Sequence, residues 1–114
     1  MRLALHARLL LILSGVTALS SQAIADKLDV ASIPTGAVYV CVAGSGKDRT
    51  IRTIELQDNV AGLCRRHTEM GPCQYARNAC RSSGGRVYAA DGSEITQADE
   101  AEYDKKVMRM KVGP

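Results

Sequence analysis

Four cysteines and one nearby histidine are the residues of this sequence with the greatest capacity for chemistry. Cys64 and His67 have a spacing found in zinc sites, and Cys73 and Cys80 would complete four ligands by type. This ligand set leaves Cys41 without a partner. Its other two members, Cys73 and Cys80, do not have the close spacing of a zinc ligand pair. An even number of cysteines in a short exported chain predicts disulfides instead. We therefore expect two disulfides, no metal and no cofactor.

The other motifs that could support catalysis are incomplete. The run from Gly44 to Lys47 matches the end of a phosphate-binding loop, but Cys41 stands where the first glycine is required and Asp48 follows the lysine. No nucleophile can be paired with His67, and the remaining carboxylates belong to a charged helix face: Asp99, Glu100, Glu102 and Asp104. We therefore expect a protein that is not an enzyme.

The N-terminus has the three parts of a secretory signal peptide over residues 1–25. Arg2 and Arg8 form a basic start, residues 9–19 are mostly apolar, and the Ala-Ile-Ala sequence at 23–25 is a small-x-small cleavage site. The apolar run is too short and too interrupted to cross a bilayer with a hydrocarbon core about 30 Å thick. The sequence therefore predicts a periplasmic or secreted protein without a transmembrane segment after cleavage.

Cleavage leaves a chain of one-domain length, since 114 less 25 is 89 residues. Loss of Arg2 and Arg8 lowers the formal net charge from +3 to +1, so the charge does not indicate nucleic-acid binding. Residues 26–35 are predicted to be an extended lead-in that need not be ordered. Residues 36–114 are predicted to form one domain whose core lacks Phe and Trp and which relies on disulfides.

A β-hairpin is the strongest structural prediction. β-Branched residues alternate over 37–43, glycines and polar residues form a turn over 44–48, and a second alternating segment follows over 49–56. Residues 60–66 predict a short third strand.

Helices are predicted in the second half of the chain. A proline at the start and two glycines after the end delimit a helix over about 72–83. A strand over 86–90 follows, and Thr96 with the acid three residues later is an imperfect capping box for a short helix near 97–106. Methionines alternate with basic residues over 108–112 and predict a terminal strand. The fold class is a small α+β domain with a disulfide-tethered helix.

The predicted helix over 72–83 limits how the cysteines pair. Cys73 and Cys80 would be about 10.5 Å apart along the helix axis, beyond the roughly 7 Å limit for a disulfide. One of them must therefore pair with Cys41 and the other with Cys64. We favour Cys64–Cys73 with Cys41–Cys80, because the turn before the helix brings the nearer pair together, and the opposite pairing stays open.

Arginine dominates the middle of the chain. Between residues 49 and 86 there are seven arginines, three acids and no lysine. The guanidinium group matches carboxylate and phosphate oxygens in pairs. We expect a binding or accessory domain for an anionic envelope component or an acidic protein, with the binding face formed by Arg65, Arg66, Arg77 and Arg81.

The alternative function is that of a periplasmic enzyme inhibitor. A disulfide-tied hairpin could present the loop from Gly44 to Asp48 to a cleft at a low ordering cost. Residues 38–41, Val-Tyr-Val-Cys, leading to Arg-Thr-Ile at 49–51 are similar to the first hairpin of small exported bacterial proteins, including periplasmic lysozyme inhibitors. This resemblance assigns no site residues. Clustered exposed arginines would favour the anionic-partner function, and a protruding ordered loop with scattered arginines would favour the inhibitor.

Export with cleavage before Asp26 can be tested directly. Mass measurement of the protein from its native host should give a chain that begins Asp26-Lys27-Leu28-Asp29, because small residues precede this bond at both required positions. An intact leader on protein in a cytosolic fraction would contradict the predicted compartment.

Overall fold

The structure, a computed structural model, describes residues 27–112. Its regular elements are β1 (Tyr39–Ala43), β2 (Thr50–Thr53), α1 (Asp58–Arg66), α2 (Gly71–Ser82), β3 (Arg86–Ala89), β4 (Glu94–Ile95) and α3 (Gln97–Val112). Within this range the four strands form one antiparallel sheet in the order β2-β1-β3-β4. The predicted α+β class is confirmed. The predicted signal peptide and its cleavage position lie outside the described residues.

Strand β1 lies at the centre of the sheet and is buried on both faces. Cys41 faces the helices, where it is bonded to Cys80 of α2. Val40 and Val42 face the opposite side, in a cluster that includes Leu28 and Tyr88. Burial on both faces explains why apolar residues continue along this strand. The predicted hairpin of β1 with β2 is confirmed.

The lead-in segment is attached to the far end of the sheet. Lys27 forms a bridge with Ser93, and the Leu28 N–H donates to the Gly92 carbonyl at 2.8 Å. Leu28 is buried, and a short 3-10 turn over Val30–Ser32 follows it. The sequence predicted that this segment need not be ordered. In the structure, the buried side chain of Leu28 and the bridge between Lys27 and Ser93 hold it against the sheet.

Residues 60–66, predicted to form a third strand, belong instead to helix α1, so this prediction is wrong. Val60, Leu63 and Cys64 have the i, i+3, i+4 spacing of one helix face, and all three pack in the main core. The helix ends where the His67 N–H donates to the Leu63 carbonyl at 2.7 Å. Burial of this helical stripe outweighs the β propensity of Val60.

The predicted capping box at the start of α3 is confirmed. The Thr96 N–H donates to Asp99 Oδ2 at 2.8 Å, and the Asp99 N–H donates to Thr96 Oγ1 at 3.2 Å. This reciprocal pair satisfies two backbone donors at the helix start. It also fixes the direction in which α3 leaves the short strand β4.

Helix α3 continues to Val112, so the strand predicted over 108–112 is wrong. No proline or glycine interrupts the chain in this region before Gly113. Met108 and Met110 are exposed, so their alternation with basic residues does not mark a buried strand face. None of the helices in the described residues is long and apolar enough to cross a membrane.

Two disulfides connect α2 to its neighbours. The bond Cys41–Cys80 joins α2 to β1, and the bond Cys64–Cys73 joins α2 to α1. This is the pairing favoured from the sequence, in which the turn before the helix brings Cys64 and Cys73 together. All four cysteines lie in the main core cluster, which contains Tyr39 and Tyr103 but no Phe or Trp.

Gly85 provides a test of how tightly the first disulfide is packed. A Cβ at this position would lie 2.5 Å from Cys41 Sγ and 2.7 Å from Cys80 Sγ. Gly85→Ala should lower the free energy of unfolding by about 1 to 3 kcal/mol, because the bonded sulfurs have little room to move. Urea unfolding under oxidising conditions would measure this loss.

The matched control is Gly62→Ala, inside helix α1. A Cβ at this position would lie 3.6 Å from Arg66 Nη1, which is an ordinary contact, so the change should not lower the free energy of unfolding. Equal stability of the Gly85→Ala and wild-type proteins would contradict the close packing of the disulfide.

Candidate functional site on the first hairpin

The four arginines predicted to form one exposed face do not lie on one surface. Arg77 is completely buried, with 0% of its surface exposed, and the Arg81 side chain is 13% exposed. Only Arg65 and Arg66, at the end of α1, are open to solvent. The assumption that Arg77 is a surface residue is wrong, because its charge is neutralised by a carboxylate inside the protein.

The buried partner of Arg77 is Glu100 on α3. Arg77 Nε and Nη2 donate to the two oxygens of Glu100, each at 2.7 Å, in a bidentate pair. The guanidinium lies 4.9 Å from the ring centroid of Tyr39 and 5.2 Å from that of Tyr103. Its remaining nitrogen, Nη1, donates to the Tyr39 hydroxyl at 2.8 Å and to Thr68 Oγ1 at 3.0 Å. The charge is thus fully satisfied inside the core.

This arrangement determines how the groups titrate. Burial has the largest single effect on the pKa of Arg77 and lowers it. The hydrogen bonds to Glu100, together with the electrostatic contributions of Tyr39, Glu100 and Tyr103, outweigh burial and raise the pKa above its ordinary value. Burial raises the pKa of Tyr103. Both groups therefore keep their neutral-pH charge state, which fits a structural role.

Arg81 adds a second cation to the same carboxylate. Its Nη2 lies 2.8 Å from Glu100 Oε2 and also donates to the Ile95 carbonyl at 2.6 Å. Arg81 is therefore occupied in holding α2 against β4 and α3. Of the predicted binding residues, it is the second that the fold uses internally.

Arg65 and Arg66 remain available at the surface. Arg65 Nη2 donates to the Gly36 carbonyl at 3.0 Å, which ties α1 to the segment before β1. Both side chains are exposed, and they lie at the C-terminal end of α1. They form a pair of adjacent cations that is separated from the buried Arg77.

The predicted loop histidine lies beside a buried carboxylate. Glu69 is only 3% exposed, and its carboxylate lies 3.6 Å from His67 Nδ1 and 3.5 Å from Lys106 Nζ. A hydrogen bond from the backbone of Glu69 itself, and then the positive charge of Lys106, keep the pKa of Glu69 below its ordinary value. The neighbouring Thr68 hydroxyl is already bound to Tyr39 and Arg77. This cluster neutralises charge and offers no free nucleophile.

The described residues contain no group of histidine, cysteine, aspartate and glutamate side chains arranged to hold a metal ion. Three of the four zinc ligands considered from the sequence are cysteines. All four cysteines of the chain are in disulfides.

The loop of the first hairpin contains the longest run of exposed residues in the described part of the chain. Every residue from 43 to 50 is exposed. A 3-10 turn over Gly46–Asp48 orders the loop, with the Asp48 N–H donating to the Ser45 carbonyl at 3.0 Å. Gly44 has a φ of +77°, and a Cβ there would lie 2.6 Å from the Asp48 carbonyl oxygen. The loop conformation therefore requires glycine at this position.

The charge on this loop is mainly positive. Lys47 and Arg49 are exposed on either side of Asp48, and Arg52 follows on β2. The base of the loop is anchored by Cys41, which the disulfide to Cys80 holds against α2. The hairpin is thus a fixed projection with cationic side chains.

A groove of about 720 Å³ lies beside the hairpin, between the β2 end of the sheet and helix α2. Its size falls within the usual range of ligand sites. Its lining is largely apolar, with Arg52 and Glu55 at the sheet side, and includes Ile54, Leu56, Tyr75, Ala76 and Ala79. Sequence reasoning missed this groove because its two walls are far apart in the chain. The one local signal is Tyr75, an aromatic residue that is 78% exposed on α2.

Comparisons with known proteins give no relative. No protein-family model, no curated protein and no solved structure matches this chain.

Replacement of Arg77 tests the internal role assigned to it. Arg77→Met should lower the free energy of unfolding by about 3 to 5 kcal/mol, because it leaves the buried Glu100 with Arg81 as its remaining cation. Arg66→Met, on the surface of α1, should change stability by less than about 0.5 kcal/mol. Urea unfolding of both variants gives the comparison, and similar losses in the two would contradict the assignment.

Proposed function

We propose that this protein is an exported binding domain of the bacterial envelope that acts as an enzyme inhibitor through its first hairpin. The loop from Gly44 to Asp48 is the element presented to the target. The observation that carries the proposal is the combination of complete exposure over residues 43–50 with a backbone ordered by a 3-10 turn, whose geometry glycine at position 44 permits. A loop that is ordered before binding loses less entropy when it enters a cleft.

The charge on the loop indicates the kind of cleft. Lys47 and Arg49 would be matched by carboxylates, and glycoside hydrolases act with a pair of carboxylates in their clefts. A hydrolase of envelope glycans is therefore the target class that we favour. The acidic partner expected from the arginine-rich sequence is retained, but the cations that meet it belong to the hairpin.

The compartment is consistent with this target. Two disulfides indicate an oxidising, extracytoplasmic location. With the predicted signal peptide, we assign the protein to the periplasm or to the secreted fraction, where envelope glycans and their hydrolases meet.

The exposed pair Arg65 and Arg66 supports a second candidate function. These two adjacent cations could bind an anionic envelope component such as a phosphorylated lipid. The pair lies on α1, outside the hairpin, so the two functions predict losses in different variants.

Charge reversal in the loop distinguishes the candidates. The mature domain should inhibit a lysozyme-type hydrolase, and Lys47→Glu with Arg49→Glu should raise the inhibition constant at least about tenfold. The reason is that both cations then face carboxylates of like charge. Inhibition should be measured as the hydrolase rate on peptidoglycan at low and high salt, because screening weakens such pairs.

Two control variants complete this experiment. Arg109→Glu, on the exposed end of α3, should leave inhibition unchanged. Arg65→Glu with Arg66→Glu should also leave it unchanged, while it would abolish binding to anionic phospholipid vesicles if the second candidate is correct. Absence of inhibition by the wild-type domain against carboxylate-bearing glycan hydrolases would reject the inhibitor function.

A further inference from the structure

The outward face of α3 is exposed in the described part of the chain. The inward face is formed by Glu100, Tyr103 and Val107, whose spacing places them on one side of the helix and which are buried or half-buried. On the opposite side, exposed residues repeat at alternating intervals of three and four positions. These residues are Ala98, Ala101, Lys105 and Met108. Such an interval is typical of a helix that packs along a second helix.

Met108 is the largest apolar residue of this outward face, and it is 58% exposed. It borders a depression between α2 and α3 that also includes the exposed ring of Tyr75. The Lys105 ammonium is drawn to Glu102, with Nζ 3.1 Å from Oε2, so the aliphatic stem of Lys105 lies along the face. This surface would be stabilised by another apolar surface that covers it.

The charges beside the outward face divide α3 into two halves of opposite sign. Glu102 and Asp104 are exposed in the first half, and Arg109 and Lys111 are exposed in the second half. Residues seven positions apart lie on the same side of a helix. One flank of the face therefore carries Glu102 followed by Arg109. The other flank carries Asp104 followed by Lys111, so each flank is acidic at its start and basic at its end.

Two copies of this helix are complementary when they run in opposite directions. With a two-fold axis at the level of residues 106 and 107, Glu102 of one copy lies beside Arg109 of the second copy. Asp104 lies beside Lys111 of the second copy on the other flank. The members of each pair differ by only about 3 Å in height along the axis, at 1.5 Å per residue. Met108 meets the stem of Lys105 at the same height, and the symmetry repeats every contact.

Other arrangements of the two helices bring like charges together. A parallel pair would place Lys105 directly opposite Lys105 of the second copy. An antiparallel pair with its axis at the level of residue 103 would place Glu102 and Asp104 opposite the same acids of the second copy. Both arrangements are disfavoured by electrostatic repulsion. The charge pattern thus selects one antiparallel register.

We propose that the protein forms a weak antiparallel dimer, in which the outward face of α3 packs against the same face of a second copy of the chain. Met108 and Lys105 form the centre of the interface, and the oppositely charged pairs flank it. The helix has 16 residues and is about 24 Å long. An interface of this length is smaller than those of stable complexes, so the dimer should form in the high-micromolar range. The hairpin loop is not part of this face, so either proposal can fail without the other.

Two charge-reversal variants provide the test. Glu102→Lys with Asp104→Lys makes both flanks basic, and Arg109→Glu with Lys111→Glu makes both flanks acidic. Sedimentation equilibrium from about 10 μM to about 1 mM should show that each variant alone dimerises at least about tenfold more weakly than the wild-type domain. An equimolar mixture of the two should restore the dimer, because every flanking contact then joins opposite charges.

The control is Lys47→Glu with Arg49→Glu on the hairpin loop. It changes the net charge by the same amount as the acidic variant and should leave the dimer dissociation constant within about twofold. The wild-type dimer should weaken when salt is raised from about 0.1 M to about 1 M, because the ion pairs are screened. Circular dichroism checks the fold of each variant. The basic variant and the salt dependence keep the test decisive if the acidic variant does not fold.

Three outcomes would overturn the proposal. The first is a wild-type domain that stays monomeric at about 1 mM, which would leave the outward face of α3 to a different partner. The second is a dimer that neither folded variant weakens, which would place the contact on another surface. The third is a mixture of the two folded variants that remains monomeric.

Discussion

The guanidinium of Arg77 is the point at which the separate elements of this fold meet. Its hydrogen bonds reach Glu100 on α3, Tyr39 on β1 and Thr68 in the segment between α1 and α2. A buried charge is tolerated only when every donor has a partner. The sheet, the helix pair and α3 must therefore be in place together, because displacement of any one of them would leave this charge unsatisfied.

The disulfides act on the same helix as Arg77 and complete its attachment. The bond from Cys80 fixes α2 to the central strand, and the bond from Cys73 fixes it to α1. A core without Phe or Trp offers limited apolar area for burial. The covalent bonds and the satisfied ion pair supply the order that larger side chains provide in other small domains.

Although two of the arginines are paired inside the protein, the exposed cations of the first hairpin remain able to meet a partner. Arg77 and Arg81 are committed to Glu100, whereas Lys47, Arg49 and Arg52 are exposed on the hairpin. The loop leads into β2, and the groove beside α2 is lined by Arg52 and by residues 54–57 that follow it. A rigid anchor at the base of the hairpin allows these surfaces to meet a partner without first becoming ordered.

The sequence by itself determined the features that depend on neighbouring residues: the hairpin, the ends of α2, the cap at Thr96 and the exclusion of a Cys73–Cys80 bond. It was misleading for α1 and for the end of α3, where short-range alternation competed with a helical pattern. Only the tertiary structure decided that Arg77 is internal, because its carboxylate partner is 23 residues away. The tertiary structure also decided the groove, because its walls come from the β2 end of the sheet and from α2, which only folding brings together.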